Sequence, residues 1–230
     1  MSSADNLAKL DAIEAALNKR WPENKIEPTL DRISALVDAL GSPQLSYPTI
    51  HLAGTNGKTT TARMIDQLLA NLGYRVGRYT SPHLESFTER ISIKAEPISA
   101  AQMIATYDDI ALYLDLIDSR QPHPISYFEA LTAMAFVAFA EFPVDIAVIE
   151  AGLGGEWDAT NVVSSQVSVM TPIGFDHMEY LGNTLTAIAQ TKSGIFKPES
   201  NVVLAAQNSE VAKVLMAQVA KVAAIPYSHS

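Results

Sequence analysis

Apolar residues recur three and four positions apart at Leu7, Leu10, Ile13 and Leu17, and again at Leu30, Ile33, Val37 and Leu40, where Gly41 follows. That spacing puts each set on one face of a helix, and glycine is a common stop just past a helix end. Residues 21–29 lie between the two sets, carry two prolines and read as a loop. Short apolar runs at 49–53, 75–79, 144–149, 166–171 and 201–205 have the length and flanks of buried strands. Residues 59–72, 99–117, 127–141, 184–191 and 210–223 read as helices, the last reaching the end of the chain. The longest apolar patch, 130–140, is too short to span a bilayer and reads as a buried helix. Strands alternating with helices predict an α/β fold, a mostly parallel sheet covered by helices on both faces. In such sheets ligands bind beyond the carboxyl ends of the strands. The loops 54–59, 80–84, 150–161 and 176–177 all leave strand ends and carry the unusual residues, so one site on one edge is expected.

Composition narrows the function classes. The chain has 230 residues, room for one large domain or one domain and part of another. An apolar fraction of 48% with 18% charged residues is that of a soluble globular protein. The net charge of −9 argues against nucleic acid or a membrane surface as the main partner, because phosphate backbones need a basic face. With no cysteine there is no disulfide, thiolate zinc site or cysteine nucleophile, which permits the cytosol. The N-terminus shows no basic start followed by an apolar core, so no secretory signal is expected and the chain reads as cytoplasmic.

The run Gly54-Thr55-Asn56-Gly57-Lys58-Thr59-Thr60 sits between a predicted strand and a predicted helix. That is the context of a phosphate loop. Glycines let backbone N–H groups turn inward, the helix N-terminus adds partial positive charge, and Lys58 reaches the terminal phosphates. Thr59 or Thr60 can offer a hydroxyl to Mg²⁺. Leu52 stands where the usual pattern has its first glycine, so a strict pattern search passes over this loop. The alternative is a glycine turn capped by threonine beside a surface lysine.

Gly-Thr-Asn-Gly-Lys-Thr at 54–59 is the phosphate loop of Mur-type ligases. Thr80-Ser81-Pro82-His83-Leu84 with Glu89-Arg90-Ile91, the run from Glu150-Ala151-Gly152 to Ala159-Thr160-Asn161, and Asp176-His177 with Lys192-Ser193-Gly194-Ile195-Phe196 follow in order. Together these blocks resemble the folylpolyglutamate and dihydrofolate synthases of the Mur ligase superfamily. The resemblance implies that Thr55, Asn56, Gly57 and Lys58, with Thr59 and Thr60, hold ATP. It implies Ser81, Glu150 and His177, with Thr59, as Mg²⁺ ligands, and Lys192 as a lysine carbamylated beside the metal. Lys58, His177 and Lys192 would be the catalytic set. The pterin or folate would lie against Ser126, Tyr127, Phe128 and Glu129, against Trp157, Asp158 and Ala159, and against Ile26, Glu27 and Pro28. Glu156 stands where the family usually has arginine.

These roles agree with elementary chemistry to different degrees. Glu150 ends a buried strand, a costly place for an unpaired carboxylate, so a cation there is a natural compensation; a salt bridge would serve as well. Mg²⁺ prefers hard oxygen ligands, which makes His177 an unusual one. Without the resemblance His177 is a loop histidine, Lys192 a solvated helix lysine and Ser81 a turn residue. The implied reaction is ATP-dependent amide formation: an acyl phosphate of dihydropteroate or of a folate is attacked by the amine of L-glutamate. Family members, which are monomeric, continue into further ATP-binding residues and a C-terminal glutamate-binding domain. The resemblance therefore implies an ATP-binding domain truncated at Ser230, slow or inactive in ligation by itself. A Mur-type cell-wall ligase and a nucleotide- or folate-binding fragment without ligase activity are the rival readings.

Overall fold

The computed structural model describes residues 3–22, 25 and 27–228. Among these, eight strands form one sheet: β1 (Thr49–Ala53), β2 (Val76–Tyr79), β3 (Ile91–Ile93), β4 (Glu96–Pro97), β5 (Ile146–Glu150), β6 (Val167–Met170), β7 (Asn201–Leu204) and β8 (Ile225–Ser228). Their order is β4-β3-β2-β5-β1-β6-β7-β8. The pairings from β2 to β8 are parallel, and β3 and β4 extend the β2 edge as an antiparallel ribbon. The helices are α1 (Ser3–Asn18), α2 (Asp31–Ala39), α3 (Lys58–Asn71), α4 (Ala100–Asp118), α5 (Tyr127–Glu141), α6 (Met178–Leu181), α7 (Leu185–Lys192) and α8 (Ser209–Lys221).

Strand alternation sorts the core into two sides. In β5, Ala147 and Ile149 join a large cluster with α1, α2, α4 and α5, whereas Val148 faces α3 with Leu52, Ala62 and Val76. Ala53 and Met170 pack with α7 and α8 on the same face as α5. Helix α5 is buried nearly all round, as its unbroken apolar run requires, and it begins with a capping box in which Ser126 and Glu129 bond each other's backbone N–H. Among the described residues no helix is long and apolar enough to cross a membrane.

Three elements differ from the sequence expectation. The β3–β4 ribbon turns at Lys94 and Ala95, both with positive φ (56° and 64°), and neither residue signals such a turn. Residues 224–228 do not prolong a helix. They form β8, whose residues are all exposed and which includes Pro226, so no apolar alternation marks it. Helix α6 is a single turn, too short to show a period.

Candidate active site

Strand β1 ends in the glycine-rich turn 54–57, pressed against the end of the neighbouring strand β6. Gly54 has φ 145°, and a Cβ there would lie 1.9 Å from Thr171 Oγ1 on the neighbouring strand end, so only glycine fits. The N–H groups of Thr55 and Asn56 both donate to the Pro172 carbonyl, at 3.0 and 3.2 Å. Those two donors are therefore engaged, and the outward-facing ones belong to the first turn of α3, whose N–H groups have no intrahelical acceptor. Thr60 is exposed on that turn. Lys58 Nζ donates to the Gly54 carbonyl at 3.1 Å, and Lys192 Nζ reaches the same oxygen at 2.9 Å. Two lysines thus converge on one atom of the loop.

Glu150 closes β5 beside them. It is 1% exposed, Thr59 Oγ1 donates to its Oε1 at 2.9 Å, and its Oε2 is buried without a hydrogen-bond partner. Burial pushes its carboxyl up to about 7, against the pull of the Thr59 hydroxyl, Lys58, the Ser81 N–H and Arg78. Burial, followed by repulsion from Lys58, brings the Lys192 amine down to about 8. A strand-end acid with an orphaned oxygen and a hydroxyl beside it is a set of hard oxygens that fits Mg²⁺. Among the described residues, no group of three or more His, Asp and Glu could hold a metal unaided. Ser81 lies on the same side, and Ser81–Pro82 is a cis peptide. Glu89 holds this loop by accepting the N–H groups of Leu84, Glu85 and Ser86, and Arg90 Nε donates to His83 Nδ1. His177 is the left-handed residue that starts α6; its ring is half-exposed and its Nε2 lies 3.4 Å from Asp176 Oδ1.

A cavity of about 550 Å³ runs from Lys58, Ser81 and His177 to a far end walled by Phe128, Gly152, Trp157 and Ala159. The far end is built from side chains. Arg32 Nε lies 3.1 Å from both oxygens of Glu129, and Arg32 Nη1 makes a short contact with Glu27, in a group buried apart from Glu27. Asp158 is 4% exposed and accepts the Leu153 N–H (2.8 Å), the Thr160 N–H (2.9 Å) and the Thr160 hydroxyl. The loop from Gly152 is pressed onto the end of α7: a Cβ on Gly155 would lie 2.5 Å from the Lys192 carbonyl.

Of the residues singled out from the sequence, the cavity lining includes Glu27, Lys58, Ser81, Ser126, Phe128, Glu129, Trp157, Asp158, Ala159 and His177. Glu150, Thr59 and Lys192 lie behind its Lys58 end. Tyr127 points into the core under the Arg90 guanidinium, and Pro28 is not part of the lining. Glu156 is exposed and also outside it. Ile26 lies outside the described residues. Arg32, Thr29, Glu179 and Tyr180 join the lining without a sequence signal, and Leu153 joins it from the run that begins at Glu150. The three-residue spacing of Ser126 and Glu129 is a capping-box signal in the sequence that could have shown a carboxylate held there.

Residues 52–230 match the Mur ligase middle domain. The dihydrofolate synthase/folylpolyglutamate synthase of Mycobacterium tuberculosis is 51% identical over 93% of this chain and 47% of its own length. A crystal structure of the Mycobacterium tuberculosis folylpolyglutamate synthase complexed with ADP and AMPPCP superposes with a TM-score of 0.90 at 49% identity, covering 97% of this chain and 50% of that one. An FPGS–AMPPCP–folate complex gives 0.88 at 36% identity, covering 99% and 54%. The chain spans about half the length of the curated relatives it matches.

Proposed function

Since the chain belongs to the Mur ligase family, among its folylpolyglutamate and dihydrofolate synthases, we propose that it forms the nucleotide- and pterin-binding part of an ATP- and Mg²⁺-dependent ligase that joins L-glutamate to dihydropteroate or to a (tetrahydro)folate. The observation that carries this reading is the continuity of the cavity. Its Lys58 end suits a triphosphate, and its Phe128–Trp157 end suits a flat heterocycle with polar edges. A nucleotide complex of one relative and a folate complex of another support the same two ligand classes.

Lys58 and the first turn of α3 hold the β- and γ-phosphates, and Lys58 neutralises charge on the transferring phosphoryl group. Glu150, Ser81 and Thr59, with His177 at the rim, would hold Mg²⁺, whose charge would offset that of the phosphates. The substrate carboxylate attacks the γ-phosphorus, the bond to ADP breaks, and an acyl phosphate forms. The amine of glutamate then attacks the carbonyl carbon, phosphate leaves, and the amine gives up a proton. Asp158 and Glu129 orient the pterin so that its distant carboxylate points along the cavity toward Lys58. A buried amine brought down to about 8 is partly neutral at physiological pH. Lys192 is on that account suited to carbamylation, in which its nitrogen bonds CO₂ carbon and one proton is released.

Hydroxylamine in place of glutamate tests the first half of the reaction. With Mg-ATP and dihydropteroate, the expected product is a hydroxamate whose yield depends on both. ATP binding without dihydropteroate binding or hydroxamate would leave only a nucleotide-binding module.

A further inference from the structure

Beneath the cavity floor lies a polar chain that neither the nucleotide nor the metal uses. His51, in the middle strand β1, is fully buried, and its Nε2 lies 2.8 Å from Thr160 Oγ1. Thr160, also fully buried, hands its hydroxyl proton to Asp158 Oδ1. A hydroxyl has one proton to give, so Thr160 Oγ1 must accept from His51, which fixes the imidazole as the Nε2–H tautomer. The other nitrogen agrees: His51 Nδ1 is buried without a hydrogen-bond partner, and a bare acceptor is less costly to leave there than an N–H or an imidazolium. Lys197 grips the same short segment from the side, donating to the carbonyl and Oδ1 of Asn161 at 2.8 Å each. Its positive charge opposes protonation of His51, which burial already disfavours.

We propose that His51 is a positioning residue that acts through Thr160 to fix which lone pairs of Asp158 face the cavity, and so sets the recognition of ring N–H donors on the substrate. Asp158 takes one bond from Leu153 and two from Thr160, with the Gly152 N–H also acting on it. It is itself one of the residues that line the cavity. An N–H-bearing edge, such as the amino-oxo edge of a pterin, matches a carboxylate held in this way, and an edge made only of acceptors does not. The proposal rests on the pterin reading of the far end given above.

Calorimetry with dihydropteroate and with Mg-ATP, on the whole chain, separates positioning from support of the fold. His51→Leu removes the donor and is expected to weaken dihydropteroate about tenfold while ATP affinity stays within twofold. His51→Gln, which returns an N–H near the Nε2 position, should recover most of the loss. Thr160→Val should match His51→Leu, and the double variant should be no worse than either, because one relay is broken once. Equal losses for both ligands, or additive losses, would overturn the relay. If the variants do not fold, nitrogen NMR of the wild type still decides, since a protonated Nδ1 would overturn it and a protonated Nε2 is required. A wild type that binds ATP but no dihydropteroate would remove the pterin reading, and the positioning role with it.

Discussion

The two ends of the cavity are made in different ways. At the Lys58 end most of the candidate groups sit on the carboxyl end of a strand or just beyond it, Gly54–Lys58 after β1, Ser81 after β2, Glu150 closing β5 and His177 after β6, while Lys192 reaches in from the end of α7. The parallel sheet places them. At the Phe128 end the groups come from α2, from the start of α5 and from the loop beyond β5, and side chain grips side chain. Arg32 and Glu129 are 97 residues apart in sequence. One end is strong because the sheet is rigid, and the other because buried charges and hydrogen bonds hold one another.

That contrast makes the far end the more fragile. Arg32→Met keeps the apolar stem and removes the guanidinium, leaving Glu129 buried without its cation. The expected loss is about 3–5 kcal/mol in urea unfolding, and Glu129→Gln added to it should restore part. A loss below about 1 kcal/mol would mean that the far end does not depend on the pair.

The contrast also governs what could be read in advance. Strands 49–53 and 201–205, helix 127–141 and the convergence of four loops were legible because parallel strands advertise themselves as apolar runs and the loops beyond them share an edge. The turn from Gly54 to Lys58 was legible because a glycine-rich run between a strand and a helix is a local pattern. Arg32 was not, since a buried arginine on an amphipathic helix looks like any polar helical position until the fold brings Glu129 against it. His51 was not, because an apolar strand tolerates one histidine without saying what it touches. The engagement of Thr55 and Asn56 by Pro172 depends on a strand end more than a hundred residues away, which no local pattern contains.

A pH measurement probes the relay under the far end. The His51 imidazole is pushed down to about 3, first by burial and then by Lys197, against about 6.5 in an unfolded chain. Below about 6.5 the unfolded chain takes up a proton that the folded chain refuses, so this contribution is whole above that pH and is lost as pH falls toward 3. At pH 5 the loss is on the order of 2 kcal/mol. Glu150, raised to about 7, works in the opposite sense between about 4.5 and 7. The readout is therefore the wild-type stability curve minus that of His51→Leu, and a difference flat from pH 7 to 5 would place His51 outside this account.

Smaller effects belong to the backbone-built end and to the helix start at the far end. Lys58→Ala should weaken Mg-ATP at least tenfold, about 1.4 kcal/mol, by removing a charge-assisted phosphate contact. Dihydropteroate affinity should hardly change, and unaltered ATP affinity would break the assignment of the loop. Ser126→Ala removes half of the capping box on α5 and should cost about 1 kcal/mol of stability.

The central claim is that one cavity holds nucleotide and pterin end to end. Titrating dihydropteroate into chain already saturated with AMPPCP and Mg²⁺ tests it most directly. The account predicts one dihydropteroate bound per chain, at least as tightly as without nucleotide; competition between the two ligands would contradict it.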